Sequence, residues 1–147
     1  MKKICPFLLF FALLLVACNK EDVYTASYKF IVEEEQKESE EKYKEGDYID
    51  ITVSVIDYNY KEVLATEPLL YGRKTDTAAK LVLEDGVWIL YSNNTNKRLT
   101  AINIESHHID NCVVDIYIDY PPHPIGARER RHMPFAIGEQ VLAITVP

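Results

Sequence analysis

The chain has 147 residues, 48% of them hydrophobic, and 23 acidic against 16 basic side chains give a formal charge of −7. That length suits one domain around a single core. The acidic balance argues against nucleic acid as a partner, because phosphate contacts need clustered Lys and Arg. No G-x-S-x-G, H-E-x-x-H, C-x-x-C or glycine-rich phosphate loop occurs, so the expectation is a non-enzymatic protein with no cofactor, no metal site and no obvious small-molecule substrate.

Lys2 and Lys3 form a positive start, and Ile4 to Ala17 follows without a charge. Those 14 residues match the apolar region of a signal peptide and fall short of the ~20 that span a bilayer as a helix. The run ends in Leu15-Val16-Ala17-Cys18. This resembles the lipobox of bacterial lipoproteins, in which a diacylglyceryl group joins the cysteine sulfur and cleavage follows the small residue before it. The resemblance implies a signal peptide at 1–17 and lipidation at Cys18, with further acylation of the new amine. Each buried CH₂ contributes ~0.8 kcal/mol, so two or three chains anchor firmly where one does not. Losing 17 residues and two lysines would leave 130 residues with a charge of −9. Residues 18–23 then read as a lipidated tether. Asn19-Lys20-Glu21-Asp22 is similar to the surface-export signals of some Gram-negative lipoproteins, or is a polar spacer only. The expected location is the cell envelope, at the outer membrane, with a periplasmic or a surface-exposed face.

Residues 24–147 read as one all-β domain. Tyr24, Ala26, Tyr28, Phe30 and Val32 alternate with polar residues, as do Ile49, Ile51, Val53 and Val55. Period 2 puts one face on a core and the other in water. Between them, Glu33 to Glu45 has i,i+4 Glu/Lys pairs but no apolar face, and reads as a solvated connection or a helical turn or two. Glu62 to Ala65 and Leu69 to Gly72 are short, weak strand candidates. Asp76-Thr77-Ala78 is similar to an O-glycan acceptor motif of exported proteins, with Thr77 as the acceptor. Leu81 to Leu83 and Val87 to Tyr91 flank Asp85-Gly86, which suits a two-residue hairpin turn with φ > 0 at both positions. Arg98 to Glu105 is a further strand, and His107-His108 follows it. Adjacent histidines on an extended chain point to opposite faces and do not naturally grip one ion together; the alternative is a weak metal site with Asp110 nearby.

Cys112, Val114, Ile116, Ile118 and Tyr120 make one face of a long strand, with Asp115, Tyr117 and Asp119 opposite. With Cys5 cut away and Cys18 lipidated, Cys112 would have no disulfide partner, and it reads as a small buried hydrophobe. Pro121 to Gly138 reads as a loop of 18 residues with four prolines. Loops this long are usually functional or disordered. Arg128, Arg130, Arg131 and His132 form a basic knot, and Met133, Phe135 and Ile137 add apolar groups. That composition suits an interface centre. The alternative is that Phe135 and Ile137 cover the core edge while the arginines pair with local carboxylates. Tyr58, Tyr60, Tyr117 and Tyr120 could stack a sugar, or are ordinary sheet residues. Val141 to Val146 closes the chain. Seven or eight strands with turns between them suit an immunoglobulin-like antiparallel β-sandwich, without the inter-sheet Cys pair of true immunoglobulin domains.

Four segments resemble the TraQ-like family of conjugative-transposon lipoproteins. Tyr28-Lys29-Phe30-Ile31-Val32-Glu33 is similar to the family's opening strand, and Gly46-Asp47-Tyr48-Ile49-Asp50-Ile51 to its next strand start. Leu81 to Gly86 resembles its middle strand ending in Asp-Gly. Gly138 to Val146 resembles its closing Gly-Gln strand, with Glu139 inserted. The family reaches that last strand by a tight turn, where this chain has the proline-arginine segment. The resemblance implies an immunoglobulin-like sandwich and an accessory role in DNA-transfer machinery at the envelope, acting through an envelope or surface protein. The competing expectation is a surface-exposed binding or adhesion module for a glycan or protein ligand.

Overall fold

The computed structural model describes residues 22–34, 43–64 and 67–147, with backbone only at 61–64 and 67–71. The signal segment, Cys18, Ala65 and most of the acidic 33–45 run lie outside the described residues. Eight strands follow in order: β1 (Tyr24–Glu34), β2 (Tyr48–Leu64), β3 (Glu67–Glu84), β4 (Val87–Ser92), β5 (Ile102–Ser106), β6 (Cys112–Asp119), β7 (Arg128–Pro134) and β8 (Gly138–Val146). They form two sheets, ordered β5-β1-β8 and β4-β3-β2-β6-β7.

The alternating residues supply the core between the sheets. Ala26, Tyr28, Ile49, Ile51, Val53, Ala79, Val114, Ile116, Ile118 and Ile144 have no exposed surface. Burying each Val or Ile side chain contributes roughly 1.5–3 kcal/mol. Asp85 and Gly86 have φ of +50° and +78°, and their turn joins β3 to β4 as the dipeptide predicts.

Three expectations are corrected. The pairing is not wholly antiparallel, because β8 runs parallel to β1 from Ala26↔Gly138 to Glu34↔Val146. Parallel neighbours need a long crossover, and here most of the chain lies between the two strands. The second is the 121–138 loop. Within it Arg128–Pro134 is strand β7, paired antiparallel to β6 from Asp119↔Arg128 to Val113↔Pro134. Its charges meet carboxylates across the ladder, so the segment needs no apolar face to be a strand. Third, the strand expected over Arg98 to Glu105 begins only at Ile102. The weak candidates around Glu62 and Leu69 are strand, as the outer part of one hairpin. β2 and β3 pair from Tyr48↔Val82 to Leu64↔Glu67, with a register shift between Asp57 and Tyr60. β6 borders β2 only over Asp50–Asp57, and β4 borders β3 only over Ala79–Glu84. Among the described residues, the hairpin beyond those ranges is a two-stranded ribbon.

The ribbon leaves the body at the end where β1 begins. Tyr24 pairs with Ser106 there, and His108 Nδ1 lies 2.6 Å from Asp57 Oδ2 of β2. The turn after β6 lies at the opposite end, where His123 Nε2 is 2.8 Å from the Tyr48 carbonyl.

Among the described residues one core group is unsatisfied: the Tyr28 hydroxyl is buried with no described hydrogen-bond partner. An unmade buried hydrogen bond costs about 1–3 kcal/mol. Tyr28→Phe keeps the ring and removes the stranded group. The expected result is a gain of about 1 kcal/mol in urea denaturation; a loss of stability would show that the hydroxyl has a partner in solution.

Candidate functional site: a cleft beside the β5 edge

The inner face of β3 changes character along its length. Leu83, Leu81 and Ala79 are buried in the core. The next inward positions are Thr77, Thr75 and Arg73, opposite Val53, Val55 and Asp57 of β2. Thr is β-branched and keeps the strand extended, while its hydroxyl tolerates water. A cleft of about 410 Å³ opens where the apolar run stops. Thr77, Thr75, Arg73, Val55, Asp57 and Tyr60 line one wall, and residues 103–107 line the other.

The floor near the N-terminal end is tightly bonded. Asp57, 6% exposed, accepts hydrogen bonds from the Asn59 backbone N–H (2.9 Å) and Nδ2 (2.7 Å) and meets His108. Burial opposes ionisation of Asp57, but the bonds from His108 and Asn59 outweigh it and hold the carboxyl below its ordinary range. The Tyr60 ring carries the Arg73 guanidinium 5.0 Å above it and meets the His108 ring edge-on at 5.9 Å. Ser106, His108 and Asp57 have the composition of a hydrolase triad but not its geometry. The Ser106 hydroxyl is spent on the backbone N–H and C=O of His108, at 3.1 and 2.8 Å. Cys112 lies 3.3 Å from that hydroxyl. Burial raises its thiol pKa, which leaves it a weak nucleophile. His107 turns away from its neighbour, with Nδ1 3.2 Å from the Asp22 carbonyl. Among the described residues, no group of three His, Cys, Asp or Glu side chains is placed to hold a metal.

The sequence-predicted basic knot is split between two faces of β7. Arg128, Arg130 and His132 lie on the outer face of the five-stranded sheet, against β6. Arg128 forms a two-pronged pair with Asp119 (2.6 and 3.1 Å) and sits 5.2 Å from the Tyr117 ring centre. Arg130 Nη2 and His132 Nδ1 flank Asp115 at 3.0 and 2.5 Å. Asp115 keeps the outward direction expected of it, yet these two cover it to 3% exposure. Arg131 points the other way, to Glu129 at 2.7 Å and to the Ala143 carbonyl of β8. Phe135 is 3% exposed and belongs to the core, whereas Ile137 is exposed. Thr77 lies on the cleft wall and is half-buried. Cys18 is outside the described residues. Nothing local in the sequence distinguishes the cleft residues Asp57, Arg73, Thr75 and Asn103. The only signal for them was the change from Leu and Ala to Thr and Arg along one face of β3.

Asp115 shares the electrostatics of Asp57. Burial opposes its charge, and the bonds from Arg130 and His132 outweigh that cost, so its pKa is lowered. A lowered carboxylate pKa contributes stability above the unfolded value, about 4, and that contribution is lost as pH falls through the folded value. Urea midpoints are therefore expected to hold from pH 7 to about 5 and to fall below about 4. Asp115→Asn should make that acid limb shallower. An unchanged limb would show that the pair is not formed in solution.

Compared with models of known protein families, with curated proteins and with solved structures, the chain matches none.

Proposed function

We propose that the chain is a lipid-anchored lipoprotein of the cell envelope, with an immunoglobulin-like body, that works non-enzymatically through protein contacts as an accessory part of a conjugative-transfer apparatus. The lipobox ending at Cys18 supports the anchor, and the resemblance of four strand segments supports the apparatus. The observation that carries protein contact is the cleft, one wall of which is five consecutive residues, 103–107, on and just past an edge strand. Asp22 is held at the same end as the cleft by His107. The four residues from Cys18 to Asp22 reach at most about 14 Å. A lipid on Cys18 would keep the cleft close to the envelope surface, within reach of other envelope proteins. The second reading is a surface module for a glycan. The hydroxyls of Thr75 and Thr77 and the Tyr60 ring in the cleft favour it.

Cys18→Ala in cells tests the proposal. The lipid mass on the N-terminal peptide should vanish, the protein should leave the membrane fraction, and transfer frequency should fall to that of a deletion strain. A native amino end unmodified and upstream of residue 18 would refute the anchor. Loss of anchoring with unchanged transfer would refute the conjugative role and leave the glycan reading.

A further inference from the structure

We propose that the free edge of β5 is a strand-addition site for an extended segment of a partner protein with alternating β-branched residues and one acidic side chain. This deepens the protein-contact reading above, since it assigns the cleft an occupant.

The two sheets have four lateral edges, and three of them carry some obstacle to further pairing. Beside β4 the chain turns back, with Ser92 N–H bonded to the Lys97 carbonyl (2.9 Å), Leu99 N–H to the Leu90 carbonyl (2.8 Å) and a bridge between Tyr91 and Arg98. At β8 the Arg131 guanidinium occupies the Ala143 carbonyl. β7 carries Arg128, Arg130, His132 and Pro134, residue types that oppose further pairing. The fourth edge is β5. It pairs with β1 alone among the described residues. Ile102-Asn103-Ile104-Glu105-Ser106 contains no Pro, Lys or Arg. Unpaired N–H and C=O groups on such an edge are a template for another strand.

The space beside this edge has the right form. Five residues of extended chain cover about 17 Å, and the cleft runs beside residues 103–107. The opposite wall is side chains, not backbone. Val55, Thr75 and Thr77 would receive every second side chain of an added strand. Arg73 would receive the acidic one: its guanidinium lies on the Tyr60 ring, and an added carboxylate completes a charge-assisted hydrogen bond there. Asp57 does not compete for Arg73, since His108 and Asn59 bind it. Main-chain bonds supply the affinity in this mode, and alternate side chains supply the specificity.

The test uses the full chain in detergent micelles and a fluorescent probe peptide, acetyl-Thr-Val-Asp-Val-Thr-Val-amide, read by anisotropy. The expected result is saturable binding with Kd below about 1 mM. N-methylation of alternate peptide nitrogens, in the register that faces β5, should weaken it at least about tenfold, because donors are lost while side chains stay. Thr75→Arg, at an exposed position, should fill the cleft and abolish binding. Arg73→Glu should reverse preference towards a probe with Lys in place of Asp. Absence of binding by both probes, or binding indifferent to N-methylation in either register, overturns the proposal. So does a chain dimer abolished by Thr75→Arg, which would make the occupant a second copy. Saturation by maltotriose that excludes the peptide would assign the cleft to sugar. None of these readouts depends on lipid at Cys18 or on DNA transfer, so their failure is separable from failure of the anchor.

Discussion

Replacing Gly126 by Ala is expected to destabilise the chain by about 3 kcal/mol, the upper range for forcing atoms into a filled space. An added Cβ would lie 1.6 Å from the Tyr120 carbonyl oxygen and 2.9 Å from that of Pro122. Both are backbone atoms, so no side-chain rotation relieves the clash. The turn must open, and with it the bond from Tyr120 N–H to the Ala127 carbonyl, now 2.9 Å. That bond closes the segment leading into β7. Opening it also loosens His123, which stacks on Tyr48 at 4.2 Å and lies 3.8 Å from Asp50. Gly46 is the control. Its added Cβ meets nothing within 4 Å, and only its φ of +88° opposes Ala, at a cost of roughly 1–2 kcal/mol. Urea denaturation should rank Gly126→Ala well below Gly46→Ala, and amide shift changes for the former should centre on residues 118–130 and Tyr48. Equal losses would mean that the turn relaxes without cost.

Much of this fold is legible where one face of a strand meets the core. The alternation of Ile49, Ile51, Val53 and Val55, and of Cys112, Val114, Ile116 and Ile118, reads straight through to burial. β7 was illegible because its apolar pattern is missing. Arg128, Arg130 and His132 are held by Asp119 and Asp115, and only the fold reveals a cross-strand carboxylate. Four prolines nearby pointed to a loop, and three of them do precede the strand while Pro134 ends it. The strand expected from Arg98 starts at Ile102, because Arg98 and Leu99 are used to cover β4. The parallel partnership of β1 and β8 joins strands more than a hundred residues apart; no local pattern encodes it. The cleft was hidden for a related reason. Thr75, Thr77 and Arg73 fit a solvent-facing strand equally well, and only the position of β5 turns that polar stretch into a wall.

Ile116→Ala should be among the most damaging truncations in the sheet, with a loss of about 4 kcal/mol. Ile116 has no exposed surface, and it lies in β6 opposite Val53 on one side and Arg131 on the other. Strand neighbours fix the backbone on both sides, so the site cannot collapse around the void, and poor collapse is what sets the cost of such a substitution. A domain of this size is stable by about 5–15 kcal/mol, and each kcal/mol moves its melting temperature by about 4 °C. Ile116→Ala should therefore melt roughly 16 °C lower. Its urea midpoint should fall with the slope unchanged. Ile125→Ala is the reference, at 88% exposure, and should leave both unchanged. The consequence reaches the outer face. β7 has no strand neighbour but β6 among the described residues, so the ladder that sets Arg128, Arg130 and His132 over their carboxylates is only as firm as β6. Amide exchange in β7 should accelerate in Ile116→Ala more than exchange in β1, which is paired on both sides. Equal acceleration in β1 and β7 would mean that the two sheets open as one unit.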